Sequence, residues 1–516
     1  MLVLSLAAHG RVRLDPLGSG ADNRQKQVYV QAILMHRNKA EWVVPNPAGR
    51  VYSHAERLRV VAGILTCILL SALDQTVVLP AIPQMAATLR GGAHLSWVVA
   101  AYLLTTTATT PIYGKLSDQL GRRAVLVPAL GLFILASILC ALAGSVTFLI
   151  AARALQGVGG GALMAVAQAA VADVIPPRER GRYQAWFAGT WAFSSVAGPV
   201  AGGLVTQHLS WRWIFWANIP LGLIAMALCI RGLAGLKVAG ARGKIDYLGA
   251  ALLVVSVAAI LLAVSSGGVD FPWTSWQIFG ICAAGAVGLA LLSWQQRRAA
   301  APMLPGALLG AASFRGVLLV GFLNAACLFS AIFLLPLMFQ GLYRASPAAS
   351  GLKIVPFLFV STAGAFLAGQ ITRITGKTAP VLAAGVGLAA LGFLPLAVLP
   401  VASTLWVPVG ISALFGLGVG MVMPTSLVAA QNQAPPGTVG AATGVLLLAR
   451  AMGGAFGATI AGAFLAANHA HPATGFRLGF LACAALELLA TFISLRLADV
   501  PLRTTVDTTT PAAGPT

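Results

Sequence analysis

Acidic side chains are scarce in this chain: Asp and Glu together number 13 of 516 residues, against 33 Lys and Arg. Charged residues of both signs make up only 9%, beside 58% hydrophobic residues and a mean hydropathy of +0.86. That balance excludes an ordinary soluble domain. No Walker loop occurs, so ATP is not the expected driving force. The alternating ten-residue segments of a membrane barrel are missing too. The cysteines are few and scattered: Cys67, Cys140, Cys229, Cys282, Cys327 and Cys483 all sit in apolar stretches. They read as small buried hydrophobes, without disulfide or metal-ligand spacing. A catalytic constellation and a structured soluble domain are both lacking, which argues against an enzyme or a receptor.

What the chain has instead is a series of apolar runs long enough for membrane helices. Fourteen are expected, at about 59–79, 95–114, 124–143, 149–172, 183–205, 212–230, 247–266, 276–295, 316–340, 354–372, 379–399, 404–428, 438–467 and 478–497. Gly is abundant (57 residues), as helices need when close packing rather than hydrophobic drive holds them together. If the first helix starts in the cytoplasm, cytoplasmic interhelical loops hold fifteen Lys or Arg and the opposite loops hold five. This bias places both termini in the cytoplasm, and it explains the net charge of +20 without nucleic acid.

The ten residues Gly114-Lys-Leu-Ser-Asp118-Gln-Leu-Gly121-Arg122-Arg123, read as a loop after the second helix, recur faintly as Gly369-Gln-Ile-Thr-Arg373-Ile-Thr-Gly376-Lys377. The two copies are 255 residues apart, an offset that also relates the first helix to the ninth. The expected architecture is therefore all-α: a six-helix bundle at 57–232, an inserted helix pair at 245–297 and a second six-helix bundle at 313–498. Parallel repeats with a site between them are the architecture of alternating access. Residues 1–56 are expected to be a disordered cytoplasmic arm or the product of a misassigned start, with Met35 as the other start. Residues 499–516 read as a disordered tail.

Intramembrane charges mark function, because each costs several kcal/mol to bury. Asp74 is the one carboxylate of the first helix. At about 1.5 Å per residue, Asp74 and Arg153 of the fourth helix both lie roughly 8 Å below the outer surface, so they can pair. Arg stays protonated, which leaves Asp74 to carry a titratable event, with Gln156 one turn from Arg153 extending the network. A static pair that only fixes helix packing is the rival reading. At the loop motif, Gly114 and Gly121 allow close packing and turning, and Lys115, Arg122 and Arg123 anchor the face. Asp118 can accept hydrogen bonds from a helix terminus or an arginine, as a latch between the halves. Asp173 at the same edge needs no special account. Helix five carries Gly189, Gly198, Pro199, Gly202 and Gly203, the pattern of a bending element with close backbone approach. Trp211, Trp213, Phe215 and Trp216 read as interfacial anchors. Arg450 and Glu487 are the remaining intramembrane charges: Arg450 to balance an anion or hold the second half together, Glu487 as a second proton site or a buried polar contact.

Together these residues resemble the major facilitator superfamily, and within it the fourteen-helix drug:proton antiporters of the EmrB/QacA type. The resemblance covers about residues 57–498. It rests on Gly114 through Arg123, on Leu73-Asp74-Gln-Thr76-Val-Val-Leu-Pro80-Ala-Ile-Pro83, on Arg153-Ala-Leu-Gln156-Gly157 and on Gly189 through Gly203. It implies proton-driven export across a bacterial cytoplasmic membrane without a cofactor, with Asp74 and Arg153 in proton coupling and Asp118 with Arg122 in a cytoplasmic gate. Some relatives work with a periplasmic adaptor and an outer-membrane channel, which makes these conceivable partners beside the bilayer, protons and substrate. Leu79-Pro80 stands where many relatives carry Asn or Asp, so the expected substrate is an amphiphile, neutral or weakly charged. A proton symporter or facilitator for a small metabolite is the alternative.

Overall fold

The computed structural model describes residues 5–6, 12–13, 54–89, 95–234, 245–268, 271–299, 301–398, 404–435 and 437–502. Most of the expected N-terminal arm, and the expected tail from 503 onward, lie outside the described residues. Met1–Val44 is a unit of its own, in which β1 (Ser5–Leu6) pairs antiparallel with β2 (Val12–Arg13).

The second unit, Pro45–Thr516, is helical among its described residues. Its fourteen long helices are α1 (His54–Val77), α2 (Ser96–Leu120), α3 (Arg122–Ala141), α4 (Val146–Val174), α5 (Pro177–His208), α6 (Arg212–Gly232), α7 (Tyr247–Ser266), α8 (Trp276–Arg298), α9 (Ala312–Gly341), α10 (Pro347–Thr375), α11 (Ala379–Val398), α12 (Trp406–Gln433), α13 (Val439–Ala467) and α14 (Pro472–Leu495). After α1 the chain continues through a 3-10 turn at Leu79–Ala81 and a short helix at Ile82–Leu89. Pro80 opens that turn, where its missing N–H is not needed.

Twelve of the described helices are long and apolar enough to cross a membrane. The two long helices outside that set are α2 and α5, and their polarity has a structural cause. Both sit where the two halves of the molecule meet. The hydroxyls of the threonine-rich middle of α2 turn inward: Thr106 Oγ1 donates to the Gly157 carbonyl of α4 at 3.1 Å, and Thr110 Oγ1 to the Thr106 carbonyl at 2.7 Å.

Helix pairing follows the internal repeat. In the first bundle α1 packs on α4, α5 and α6, α2 on α4, and α3 on α4 and α6. In the second, α9 packs on α12, α13 and α14, α10 on α12, and α11 on α12 and α14. Each of these pairings is matched eight helices later. The bundles meet along two seams, α2 with α13 and α5 with α10. The inserted pair lies beside the first seam only: α7 packs on both α2 and α13, and α8 packs on α7.

The stretch read as a loop belongs to helices instead. Gly114–Leu120 forms the last turns of α2, and Gly369–Thr375 the last turns of α10. Hydropathy marks where apolar surroundings end, and these helices run past that point. Each stops at a glycine with positive φ, Gly121 at 94° and Gly376 at 69°, conformations that a Cβ disfavours. Residues 499–502, expected to belong to a disordered tail, are held against the second bundle instead. Asp499 accepts from the N–H groups of Thr378 and Ala379, and the Leu502 N–H donates to the Gly376 carbonyl at 2.9 Å.

Candidate functional site

Asp74 is buried within the first bundle at 1% exposure. Three donors hold its carboxylate. Arg153 Nη1 donates to Oδ2 at 2.6 Å, Gln156 Nε2 to Oδ1 at 3.0 Å and Asn218 Nδ2 of α6 to Oδ1 at 2.8 Å. Arg153 is fixed in turn: its Nε donates to the Val98 carbonyl at 3.1 Å, and its guanidinium lies 4.3 Å over the Tyr102 ring. Gln156 also accepts from Arg153 Nη1 at 2.6 Å and donates to Ser137 Oγ of α3 at 2.8 Å. Four helices, with Tyr102 and Val98 of α2 as a fifth, thus surround a single carboxylate. A buried ion pair persists only when such hydrogen bonds satisfy its remaining atoms. Chemically, the cluster holds one carboxylate against one guanidinium, with neutral amide donors completing the carboxylate's shell.

Asp74, Arg153 and Gln156 were legible as a group from depth and helical spacing. Asn218, Tyr102 and Ser137 were not. Asn218 falls in the segment read as interfacial aromatics, and that reading needs correction: Trp211 and Phe215 are fully buried, and Trp213 alone of that group is strongly exposed. The Phe215 ring lies 5.8 Å from the Arg153 guanidinium. A lone Asn in an otherwise apolar run was the available signal.

A cavity of about 520 Å³ lies on another face of α1, between α1 and α5. Leu65, Thr66, Leu69, Trp186, Gly189, Thr190 and Phe193 line it. Its two hydroxyls already donate within their own helices, Thr66 to the Ala62 carbonyl and Thr190 to the Trp186 carbonyl. No charged side chain lines it. Such a site suits an apolar or amphiphilic ligand of drug size.

The α5 residues divide into two kinds. A Cβ at Gly198 would stand 2.0 Å from Thr76 Oγ1, and one at Gly202 2.4 Å from the Val77 carbonyl oxygen. These glycines bring the backbones of α5 and α1 together, and Thr76 Oγ1 donates across the contact to the Ser194 carbonyl at 2.9 Å. Gly203, expected to take part, faces open space, and Gly189 lines the cavity rather than touching a backbone. Pro199 lies inside a continuous helix and withdraws the donor that the Ser195 carbonyl would otherwise receive.

Far along α2, Asp118 caps α13 across the seam between the bundles. Its Oδ1 accepts from the Gly440 N–H at 2.9 Å and its Oδ2 from the Ala441 N–H at 2.8 Å, at the positive end of the helix. Arg122 pairs with Asp118 at 2.7 Å and with Asp173 at 2.7 Å, and donates to Ser117 Oγ. Asp173, set aside as a simple edge residue, is therefore part of this cluster. Arg123 is not, being exposed and turned away from Arg122 by its one-residue offset on α3. Gly114 meets Gly440 here: a Cβ on it would lie 2.3 Å from the Gly440 oxygen. At the matching seam Gly369 meets Gly181, where a Cβ would lie 2.5 Å away.

In the second bundle Arg450 donates to the Met423 carbonyl and to Ser426 Oγ, and makes no ion pair among the described residues. Glu487 accepts from Asn324 Nδ2 at 3.0 Å. Among the described residues no cluster of His, Cys, Asp and Glu could hold a metal ion.

Residues 64–458 match the family model of the Major Facilitator Superfamily. The chain is 35% identical over 414 residues to the multidrug transporter protein MdtP of Bacillus subtilis, covering 80% of this chain and 76% of that one. It is 31% identical over 404 residues to multidrug resistance protein 3 of the same organism, covering 78% of each. Among solved structures, the proton:xylose symporter XylE resembles it with a TM-score of 0.63 at 15% identity, over 87% of this chain and 97% of that one, a likeness of fold alone. A multi-pass helical bundle with an internal repeat, a family match over most of its length and relatives of this closeness lead to one conclusion: the chain belongs to the Major Facilitator Superfamily and is a membrane transporter, not an enzyme.

Proposed function

We propose that the protein is a proton-coupled antiporter that exports amphiphilic small organic compounds from the cytoplasm by alternating access. One observation carries the reading: the titratable carboxylate and the apolar cavity are separate, on different faces of the same helix. Asp74 points into the first bundle, towards Arg153, Gln156 and Asn218. The cavity opens towards α5 and holds no charge. A proton site that does not double as the drug's counter-charge suits a substrate that is neutral or weakly charged. The names of the two Bacillus subtilis relatives support drug export, and the inserted pair α7 and α8 supports the fourteen-helix antiporter group.

In this reading all fourteen long helices span a bacterial cytoplasmic membrane, with α2 and α5 sheltering their polar faces at the seams. The bundles are 57–232 and 313–498, with the pair 245–297 inserted, and both termini are cytoplasmic. Asp118 and Arg122 close the cytoplasmic side, and Gly198, Pro199 and Gly202 let α5 move against α1. An adaptor and outer-membrane channel rest on the family resemblance alone. Proton binding at Asp74 weakens its hold on Arg153, which loosens α1 from α4 and couples the charge change to movement of the bundle.

The test is substrate-driven proton movement in proteoliposomes. Asp74→Asn is expected to abolish uphill export at any imposed pH gradient while leaving the protein folded. Undiminished gradient-driven export by that variant would remove Asp74 from coupling. Substrate and proton moving in the same direction would replace antiport with symport.

A further inference from the structure

Every buried polar side-chain atom around Asp74 has a partner, whereas in the second bundle several have none, among them one oxygen each of Glu487 and Asn324. Glu487 of α14 is 0% exposed. Asn324 Nδ2 of α9 donates to its Oε1 at 3.0 Å. Glu487 Oε2 and Asn324 Oδ1 are both buried and both lack a hydrogen-bond partner. As long as the carboxyl is ionised, each of these oxygens is an acceptor only, so neither can satisfy the other. One proton cures both. Placed on Oε2, it forms an O–H that donates to Asn324 Oδ1 and closes an acid–amide ring of two hydrogen bonds.

The surroundings leave an ionised form uncompensated. Three helices pack on α14: α9, α11 and α13. Residues 379–398 of α11 contain no ionisable side chain. On α9, the Cys327 thiol adjoins the carboxyl and donates to the Cys483 carbonyl at 3.4 Å, while Arg315 is occupied near the helix start by the Leu309 and Gly310 carbonyls. On α13, Arg450 lies against Gly321, one turn from Asn324 along α9, yet its Nη2 bonds to Met423 and Ser426, its Nε has no partner, and it forms no ion pair with Glu487 among the described residues. On α14 itself, the ionisable groups are Cys483 and Arg477, the latter near the opposite end. A carboxylate without a cation or a full set of donors is very costly in such a medium, and takes up a proton instead.

We infer that Glu487 is held as a neutral carboxylic acid paired with Asn324, and that this pair is a second proton-binding site, distinct from Asp74. Binding puts a proton from water on the Oε2 lone pair. Release returns the proton to water and leaves Asn324 Oδ1 and Oε2 unpaired again. The inference stands apart from the direction of transport and from the role of Asp74.

Infrared spectroscopy of the purified full-length protein in detergent near neutral pH tests it. A protonated-carboxyl band is expected above the amide band. It should shift when the protein carries carbon-isotope-labelled glutamate, a check that needs no variant. Glu487→Gln should abolish the band, Asp74→Asn should leave it, and raising the pH should titrate it away. Asn324→Leu should shift it to higher frequency by removing the ring. A spectrum without a glutamate-derived acid band overturns the proposal, and so does a band unchanged in Glu487→Gln or in Asn324→Leu.

Discussion

At the scale of single residues, the partners of Asp74 do not contribute equally. Arg153 supplies the charge, so Arg153→Ala leaves a buried carboxylate with only two neutral donors. Breaking a buried pair in this way costs about 3–5 kcal/mol. A large fall in melting temperature is expected in a thermal-shift assay, with most of it recovered in the double variant Asp74→Asn with Arg153→Ala. Asn218 supplies one neutral hydrogen bond to a charged group, and Asn218→Leu should cost about 1–3 kcal/mol. Its effect on export in proteoliposomes should be partial, unlike that of Asp74→Asn. Asp74 and Arg153 were readable in advance because ionised side chains in an apolar run announce themselves. Asn218 was not, because a neutral amide carries little weight in hydropathy and its ring-bearing neighbours look like surface anchors. Trp211 and Phe215 illustrate the ambiguity, since an aromatic ring near a helix end suits either the interface or the bundle interior.

At the scale of elements, helix existence was legible nearly everywhere and helix length was not. The expected 247–266 agrees with α7 at both ends, whereas 95–114 falls six residues short of the end of α2. The first ends where its apolar run ends; the second continues into Lys115, Ser117 and Asp118, which hydropathy reads as loop. Glycine count on α5 was equally blind to direction. Gly202 abuts a backbone carbonyl that cannot move aside, and Gly203, the next residue, points into open space. Gly202→Ala is expected to lose roughly 1–3 kcal/mol through overpacking. Gly203→Ala should instead gain up to about 1 kcal/mol from helix propensity. Thermal unfolding of the two variants side by side separates them. Gly189→Leu should occupy the cavity between α1 and α5, reducing transport and binding of bulky substrates more than stability, as a binding assay alongside thermal shift would register.

At the scale of the whole molecule, the two ends of the seams meet through main chain rather than bulky side chains. Asp118 holds α13 by its first N–H groups, and Gly114 and Gly369 let the opposing helices come into contact. Asp118→Asn removes the charge that Arg122 and the α13 terminus share. Spin labels at the ends of α2 and α13 should then report longer distances and a larger population open on that side. The repeat that organises these contacts was visible in the sequence as two faint motifs, but their mechanical difference was not. Arg373 stands at the repeat position of Asp118 and, being a donor only, cannot accept from a helix N-terminus. Asp499 and Leu502 instead secure that side of the second bundle. A further asymmetry follows from the inserted α7, which packs on α2 and α13, whereas neither inserted helix packs comparably on α5 and α10. A greasy molecule dissolved in the bilayer therefore finds one flank walled and the other bare, with Trp186, Phe193 and Phe359 exposed along it. On the export reading, that bare flank beside Gly189 is where an amphiphile held in the leaflet would meet the cavity between α1 and α5.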